Sequence, residues 1–355
     1  MIDNKTYTIA WIEQVSKTNG NIDRILVEKL IRALTLLNEL SKFGLDYIFK
    51  GGTALVLMLD KPSRLSIDID IIITKRATDL ELLFNQIVSA GVFNRFEEQI
   101  RIVSSKIEKA HFKFFYNPVF RTHSAEEYIL LDILFEQNLY QNLNKIPIQS
   151  SFLALNGAPL TVKVPTFEDI LGDKLTAFAP NTTGVPYFKR NLGMGMEILK
   201  QLFDIGILFG KLENIIDVRN SFQTIAQTVL TYRAQNNMTP ADVLEDIFQT
   251  SLCISLRGKG GNGDFREIQH GIVRIKQFII FESFFIDSVI LAASKAAYLS
   301  VLIKTQSMTF EKLQNPSIVL EWMITNTNYN KLNKLKKVNP EAFYYWYKAI
   351  ELINN

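Results

Sequence analysis

The sequence predicts an α+β fold, a β-sheet flanked by helices, followed by a helical C-terminal domain. Three observations carry that expectation. Short β-prone runs alternate with helix-period segments through the first 210 residues; beyond Gly210 apolar residues recur at helical spacing with few β-like alternations; and 355 residues, 47% of them hydrophobic, can fill two cores. One domain is expected over residues 1–210 and a second over 211–355.

The elements follow in order. From Asn21 to Phe43 apolar residues Ile22, Ile25, Leu26, Leu30, Ile31, Leu34, Leu37 and Leu40 keep helical spacing, and Gly44 stands where a C-cap belongs. Tyr47 to Lys50 is a short β-prone run, Gly51-Gly52-Thr53 reads as a turn, and Ala54 to Leu59 reads as a helix. Ile67 to Ile73 is a β-branched strand, and Leu80 to Ala90 is a helix capped by Thr78 or Asp79 and closed by Gly91. Arg101 to Ser105 and Ala110 to Tyr116 read as a hairpin or meander, Glu127 to Glu136 as a further strand, and Pro159 to Pro165 as a short one. A helix starts at Pro165-Thr166, a long loop runs from Asn181 to Asn191, and a helix covers Met194 to Phe209. Ile215 to Arg233, Pro240 to Ile254, Gly271 to Leu299 and shorter segments up to Ile353 then read as helices.

Composition narrows the function classes. A net charge of +3 is mild for a dedicated nucleic-acid binder, yet it permits a local patch for an RNA. One cysteine, Cys253, rules out an internal disulfide framework, and His111, His123 and His270 lack metal-ligand spacing. There is no N-terminal signal pattern and no apolar run approaching a membrane span, so a soluble cytoplasmic protein is expected.

The chemistry concentrates between Phe49 and Ile73. Residues two apart on a strand share a face, so Asp68 and Asp70 project together while flanking isoleucines fill the core. Paired carboxylates there suit a hard divalent ion such as Mg²⁺, which takes one or two of them plus phosphate oxygens; the plainer alternative is two edge-strand aspartates in solvent. The Gly51-Gly52-Thr53 turn would let backbone N–H groups approach an anion, and the helix after it points its dipole at the same spot. Asp132 interrupts the apolar run EYILLDILFE, and as an acid in such a strand it is either a strand-end group reaching solvent or an ion-pair partner, or it has a function. Lys174, beside Asp173, reads on its own chemistry as a solvated helix lysine.

Gly51-Gly52-Thr53 followed by Arg64-x-Ser66-x-Asp68-x-Asp70 resembles the signature of the nucleotidyltransferase superfamily, in the branch of the AbiEii/AbiGii-type toxins. The spacer from Thr53 to Asp68 is about a residue longer than the family pattern, in the Lys61-Pro62-Ser63 loop where insertion is cheap. The resemblance implies a nucleotidyltransferase-like mixed sheet and transfer of an NMP from an NTP to an acceptor hydroxyl. It makes Asp68, Asp70 and Asp132 the ligands of two Mg²⁺ ions, and Gly51, Gly52, Thr53, Arg64 and Ser66 part of the NTP site. Lys174-Leu175-Thr176-Ala177 matches the family's Lys-Leu-x-Ala wording, which gives Lys174 the triphosphate. Lys200-Gln201-Leu202-Phe203-Asp204 is similar to the family's basic-acidic-x-aromatic-Asp segment; Lys200 and Asp204 carry over, Gln201 does not, and an i,i+4 ion pair explains Lys200 and Asp204 equally well. The resemblance further implies a type IV toxin–antitoxin toxin, the 3′ end of tRNA as acceptor, and a cognate antitoxin as partner. The competing readings are a small-molecule nucleotidyltransferase of the antibiotic-modifying type and a non-catalytic interaction module on the same fold.

Two further stretches carry alternatives. Arg257 to Gly263 is glycine-rich but lacks the Lys-Ser/Thr ending of a P-loop, and it reads as a flexible linker. Lys331, Lys334, Lys336 and Lys337 beside Phe343 to Tyr347 suit either RNA contact or a solvated face next to a packed aromatic one.

Overall fold

The computed structural model describes residues 1–74, 79–100, 108–120, 124–280 and 283–354. They fold into two compact units. One comprises Met1–Asn138 and Asn142–Thr166 with a returning segment that starts at Phe278; the other holds Leu139–Gln141 and the rest of the chain from Phe167 onward.

The first unit is a mixed sheet with helices. Its helices are α1 (Ile9–Thr18), α2 (Arg24–Lys42), α3 (Gly51–Met58) and α4 (Leu80–Ser89). Its strands are β1 (Ile48–Lys50), β2 (Ile69–Ile73), β3 (Arg95–Glu98), β4 (Glu108–Tyr116), β5 (Glu127–Phe135), β6 (Leu143–Pro147) and β7 (Thr161–Pro165). Among the described residues they pair in the order β3-β4-β5-β2-β1-β7-β6. The β2–β5 and β1–β7 pairs are parallel and the others antiparallel.

Local chemistry explains the elements that position the site. Asp23 accepts from the backbone N–H groups of Ile25 and Leu26 and starts α2, and Gly44, at φ +80°, ends it. The stripe Leu30, Ile31, Leu34 and Leu37 is fully buried in one core with Phe49, Ile71, Phe84, Phe114 and Leu131. Asp79 caps α4 by accepting from the Leu82 N–H at 3.1 Å; Thr78, the other candidate cap, lies outside the described residues, as does the strand expected over 101–105.

Strands β3 and β6 do not stand out in the sequence because their residues are largely exposed at the two edges of the sheet. An edge strand held mostly by ladder hydrogen bonds needs no hydrophobic alternation.

The second unit is helical: α5 (Phe167–Ala177), α6 (Gly195–Lys211), α7 (Ile215–Tyr232), α8 (Pro240–Ser255), α9 (Phe265–Ile275), α10 (Ile286–Lys304), α11 (Leu335–Val338) and α12 (Pro340–Asn354), with a small hairpin of β8 (Phe188–Lys189) and β9 (Leu192–Gly193). That hairpin overlaps the end of the loop expected over 181–191 and extends two residues past it. The single helix expected from Gly271 to Leu299 is instead α9 and α10 with a break between them. In the break, Phe278 accepts from the Leu65 N–H at 2.7 Å and the Ile280 N–H donates to Ser63, so a run of Phe and Ile that periodicity cannot distinguish from a helix serves the first unit's core.

Helix α10 is long and apolar enough to cross a membrane by length and composition, which corrects the expectation that no such run exists; 72% of that window is buried, against α6, α8 and α12. The glycine-rich stretch is tied to α8, with the Gly258 N–H donating to Cys253 and the Asn262 N–H to Gln249, so it is not a free linker. Phe343, Tyr344, Tyr345 and Trp346 are buried, which makes them core and unavailable for stacking on RNA.

Candidate active site

In the first unit the strand register assembles a row of polar residues. Lys50 on β1 stands opposite Asp70 on β2, Asp70 opposite Asp132 on β5, and Asp132 opposite His111 on β4. Directly opposed residues share a face, so these four side chains line one side of four adjacent strands. The alternation of β4 and β5 sends Ala110, Phe112, Phe114, Ile129, Leu131 and Ile133 to the buried side and leaves His111 and Asp132 on the other. Asp68 lies in the stretch just before β2, exposed, and its backbone carbonyl accepts from the Thr53 hydroxyl at 2.6 Å.

The glycines differ from the expectation. Gly51-Gly52-Thr53 is the first turn of α3 and not a separate turn before it. Gly51 has φ +80°, and a Cβ there would lie 2.2 Å from Asp70 Oδ2. A Cβ on Gly52 would lie 2.5 Å from an Arg64 guanidinium nitrogen and 2.8 Å from the Ser66 hydroxyl. The missing side chains thus make room for this chain's own Asp70, Arg64 and Ser66 against the start of a helix, where a carboxylate is favoured by the dipole. Arg64 is 8% exposed and donates to the Leu65 carbonyl at 3.1 Å.

Asp132 has a partner that the sequence did not reveal. His111 Nδ1 donates to Asp132 Oδ1 at 2.6 Å, since an ionised carboxylate only accepts. The signal available in the sequence was the placement of His111 on the polar side of an alternating strand; its distance from the other histidines hid that. Among the described residues, no three His, Cys, Asp or Glu side chains already form a cage for a metal ion.

In the second unit Lys174 and Asp204 are 6% and 2% exposed, and Lys174 Nζ lies 2.8 Å from Asp204 Oδ2. Asp204 therefore meets a lysine of α5, a contact the helical spacing of Lys200 did not suggest. Lys174 also donates to Gln201 Oε1 at 3.1 Å, and Gln201 Nε2 donates to the Glu197 carbonyl at 3.3 Å, which sets the amide's orientation. Gln201, set aside in the motif comparison, thus holds the lysine from a second side. Lys200 is half-buried on the same helix.

Among solved structures, the chain is similar to JHP933 from Helicobacter pylori at 15% identity, with 79% of this chain and 90% of that one covered and a TM-score of 0.42. An antigenic nucleotidyltransferase-like protein from Paracoccidioides brasiliensis matches at 15% identity over 59% of this chain and 91% of its own, TM-score 0.36. MenT4, a nucleotidyltransferase toxin from Mycobacterium tuberculosis, matches at 12% identity over 82% and 89%, TM-score 0.44. No curated protein sequence matches. The family model "Nucleotidyl transferase AbiEii toxin, Type IV TA system" matches residues 32–277, a span that holds the polar row of the sheet and the Lys174–Asp204 pair. The chain belongs to the AbiEii family of nucleotidyltransferase toxins of type IV toxin–antitoxin systems.

Proposed function

We propose that this nucleotidyltransferase moves an NMP from an NTP to a hydroxyl of RNA, the 3′ end of tRNA, in the cytoplasm, and that a cognate antitoxin restrains it. The observation that carries the reading is the register that puts Asp70 directly beside Asp132, with Asp68 two residues upstream. Hard oxygen donors are the right set for Mg²⁺. With no ready-made cage, the ion's remaining positions would go to water and substrate phosphate, as that ion prefers. Asp68, Asp70 and Asp132 would hold it, and when bound it would lower the charge barrier at the α-phosphorus and favour ionisation of the acceptor hydroxyl.

The chain's own groups do the rest. Gly51 lets Asp70 lie against the N-terminus of α3, while Arg64 and Ser66, packed beside Gly52, are assigned with Thr53 to the nucleotide phosphates. His111 fixes one oxygen of Asp132 and so orients the other. Lys174, steered by Asp204 and Gln201, and Lys200 are assigned to charge on the departing pyrophosphate. Residues 1–210 carry all of these groups, which supports treating them as the functional nucleotidyltransferase portion and 211–355 as its helical companion.

The test is incubation of the purified chain with each α-labelled NTP, Mg²⁺ and total RNA. Label should enter RNA from a preferred NTP and stop doing so with chelator. Label that stays in free nucleotide with every NTP would remove the RNA acceptor.

A further inference from the structure

Within the helical unit, the β8–β9 hairpin and the neighbouring α9 form a surface that the reaction chemistry does not use. The hairpin pairs Phe188 with Gly193 and Lys189 with Leu192, leaving Arg190 and Asn191 as a two-residue loop, both at positive φ (49° and 63°). Such loops favour Asn-Gly, because a side chain with a Cβ is strained there. An arginine at the first loop position is a costly way to build this turn, and it puts a guanidinium at the exposed tip.

The base of the hairpin rests on α9: Arg274 donates to the Gly193 carbonyl at 3.1 Å, and a Cβ on Gly193 would lie 2.4 Å from Glu267 Oε1. Glu267 is the acid of α9, and it is buried, accepting from the Gly195 N–H at 2.9 Å. The outward side of α9 shows Arg266, His270 and Arg274, and of these His270 lies 3.6 Å from Glu267. Lys189, Arg190, Arg266 and Arg274 are all exposed on the hairpin and α9, a local concentration of cations on a chain whose net charge is only +3.

Phe188 is 54% exposed and Leu192 is 70% exposed. Register puts them on opposite faces of the hairpin, so they do not make one apolar surface of the kind a bilayer or a protein groove would accept. Phe188 is an open ring two residues from the exposed Arg190 tip, with Lys189 on the other face of the hairpin, and an open ring near a cation suits a base stacked next to a phosphate contact.

We infer that the β8–β9 hairpin and the outward side of α9 bind single-stranded RNA, with Lys189, Arg190 and Arg274 on phosphates and Phe188 stacking on a base. The inference rests on RNA as the acceptor and names the surface that captures it. Fluorescence anisotropy of the full chain with a labelled RNA of about 12 nucleotides, between about 50 and 200 mM salt, tests it. The combined variant Lys189→Ala, Arg190→Gly, Arg274→Ala should bind at least about tenfold more weakly, with the slope of log K against log salt reduced by about 2. Phe188→Ala should bind about fivefold more weakly with an unchanged slope. Arg190→Gly alone should weaken binding while the melting temperature holds or rises, because glycine accepts positive φ, which separates lost contact from lost fold.

Wild-type affinity and slope in the combined variant would overturn the inference. So would a loss of binding to phosphatidylserine vesicles with RNA binding intact. If label is transferred to RNA normally by the combined variant, this surface is wrong and the proposed reaction stands. If RNA binds here but no NTP ever labels it, the surface stands and the reaction is wrong.

Discussion

The two units handle charge in opposite ways. In the sheet unit the acids are left partly open: Asp68 is exposed, and the Asp132 side chain retains 27% of its surface even with His111 on one oxygen. In the helical unit the charges are closed in: Lys174 and Asp204 are almost fully buried against each other. Open carboxylates keep coordination sites for a ligand and contribute little to folding, whereas a buried pair is held together by the cost of leaving either member alone.

Substitutions can break that contrast. Asp70→Asn should lower nucleotidyl transfer by about 10³-fold with a far smaller effect on the melting temperature, because the amide keeps the shape that packs against Gly51 and loses only the charge; comparable activity in a gel-based transfer assay would make the sheet acids bystanders. Asp204→Ala should behave the other way, destabilising the chain by about 3–5 kcal/mol in urea unfolding because a lysine is left buried and unpaired. Replacing both partners at once, Lys174→Met with Asp204→Leu, should recover much of that stability and none of the activity. If Asp204→Ala unfolds at the wild-type midpoint, the pair is not structural.

Smaller effects sharpen the sheet side. His111→Ala should weaken Mn²⁺ binding, read by calorimetry, by about 10–100-fold, with His111→Asn restoring part of it through its own N–H donor. Equal affinity in His111→Ala would confine the histidine to packing. Gly51→Ala should cost about 1–2 kcal/mol for the left-handed backbone alone, and it should also push Asp70 aside, so activity should fall further than stability does.

How much of this could be read in advance depended on whether the cause was local. Strand β4 was legible from its alternation, β2 from its β-branched run and β5 from an apolar run interrupted by the single acid Asp132, all of them local signals. The helices α2, α4, α7 and α8 were legible from apolar spacing and end signals. The α9–α10 break was not, since Phe278 and Ile280 leave the helical pattern for backbone partners at Leu65 and Ser63, more than two hundred residues earlier. The glycines were found as a motif, but their role was not visible: the atoms that need the space belong to Asp70, Arg64 and Ser66.

By itself the sequence singled out candidate residues for chemistry and, through the two-residue period of a strand, determined that Asp70 faces the opposite way from Ile69 and Ile71. It also contained the family signature in Gly51-Gly52-Thr53 and Asp68-x-Asp70. Only the tertiary structure decided who stands next to whom: Asp132 beside Asp70 with His111 behind it, and Gln201 with Asp204 on Lys174. Periodicity is a property of neighbours along the chain, but register between β2 and β5, or between α5 and α6, is set by how distant segments bury their apolar faces together, and a shift of one residue would send every polar partner to the wrong side.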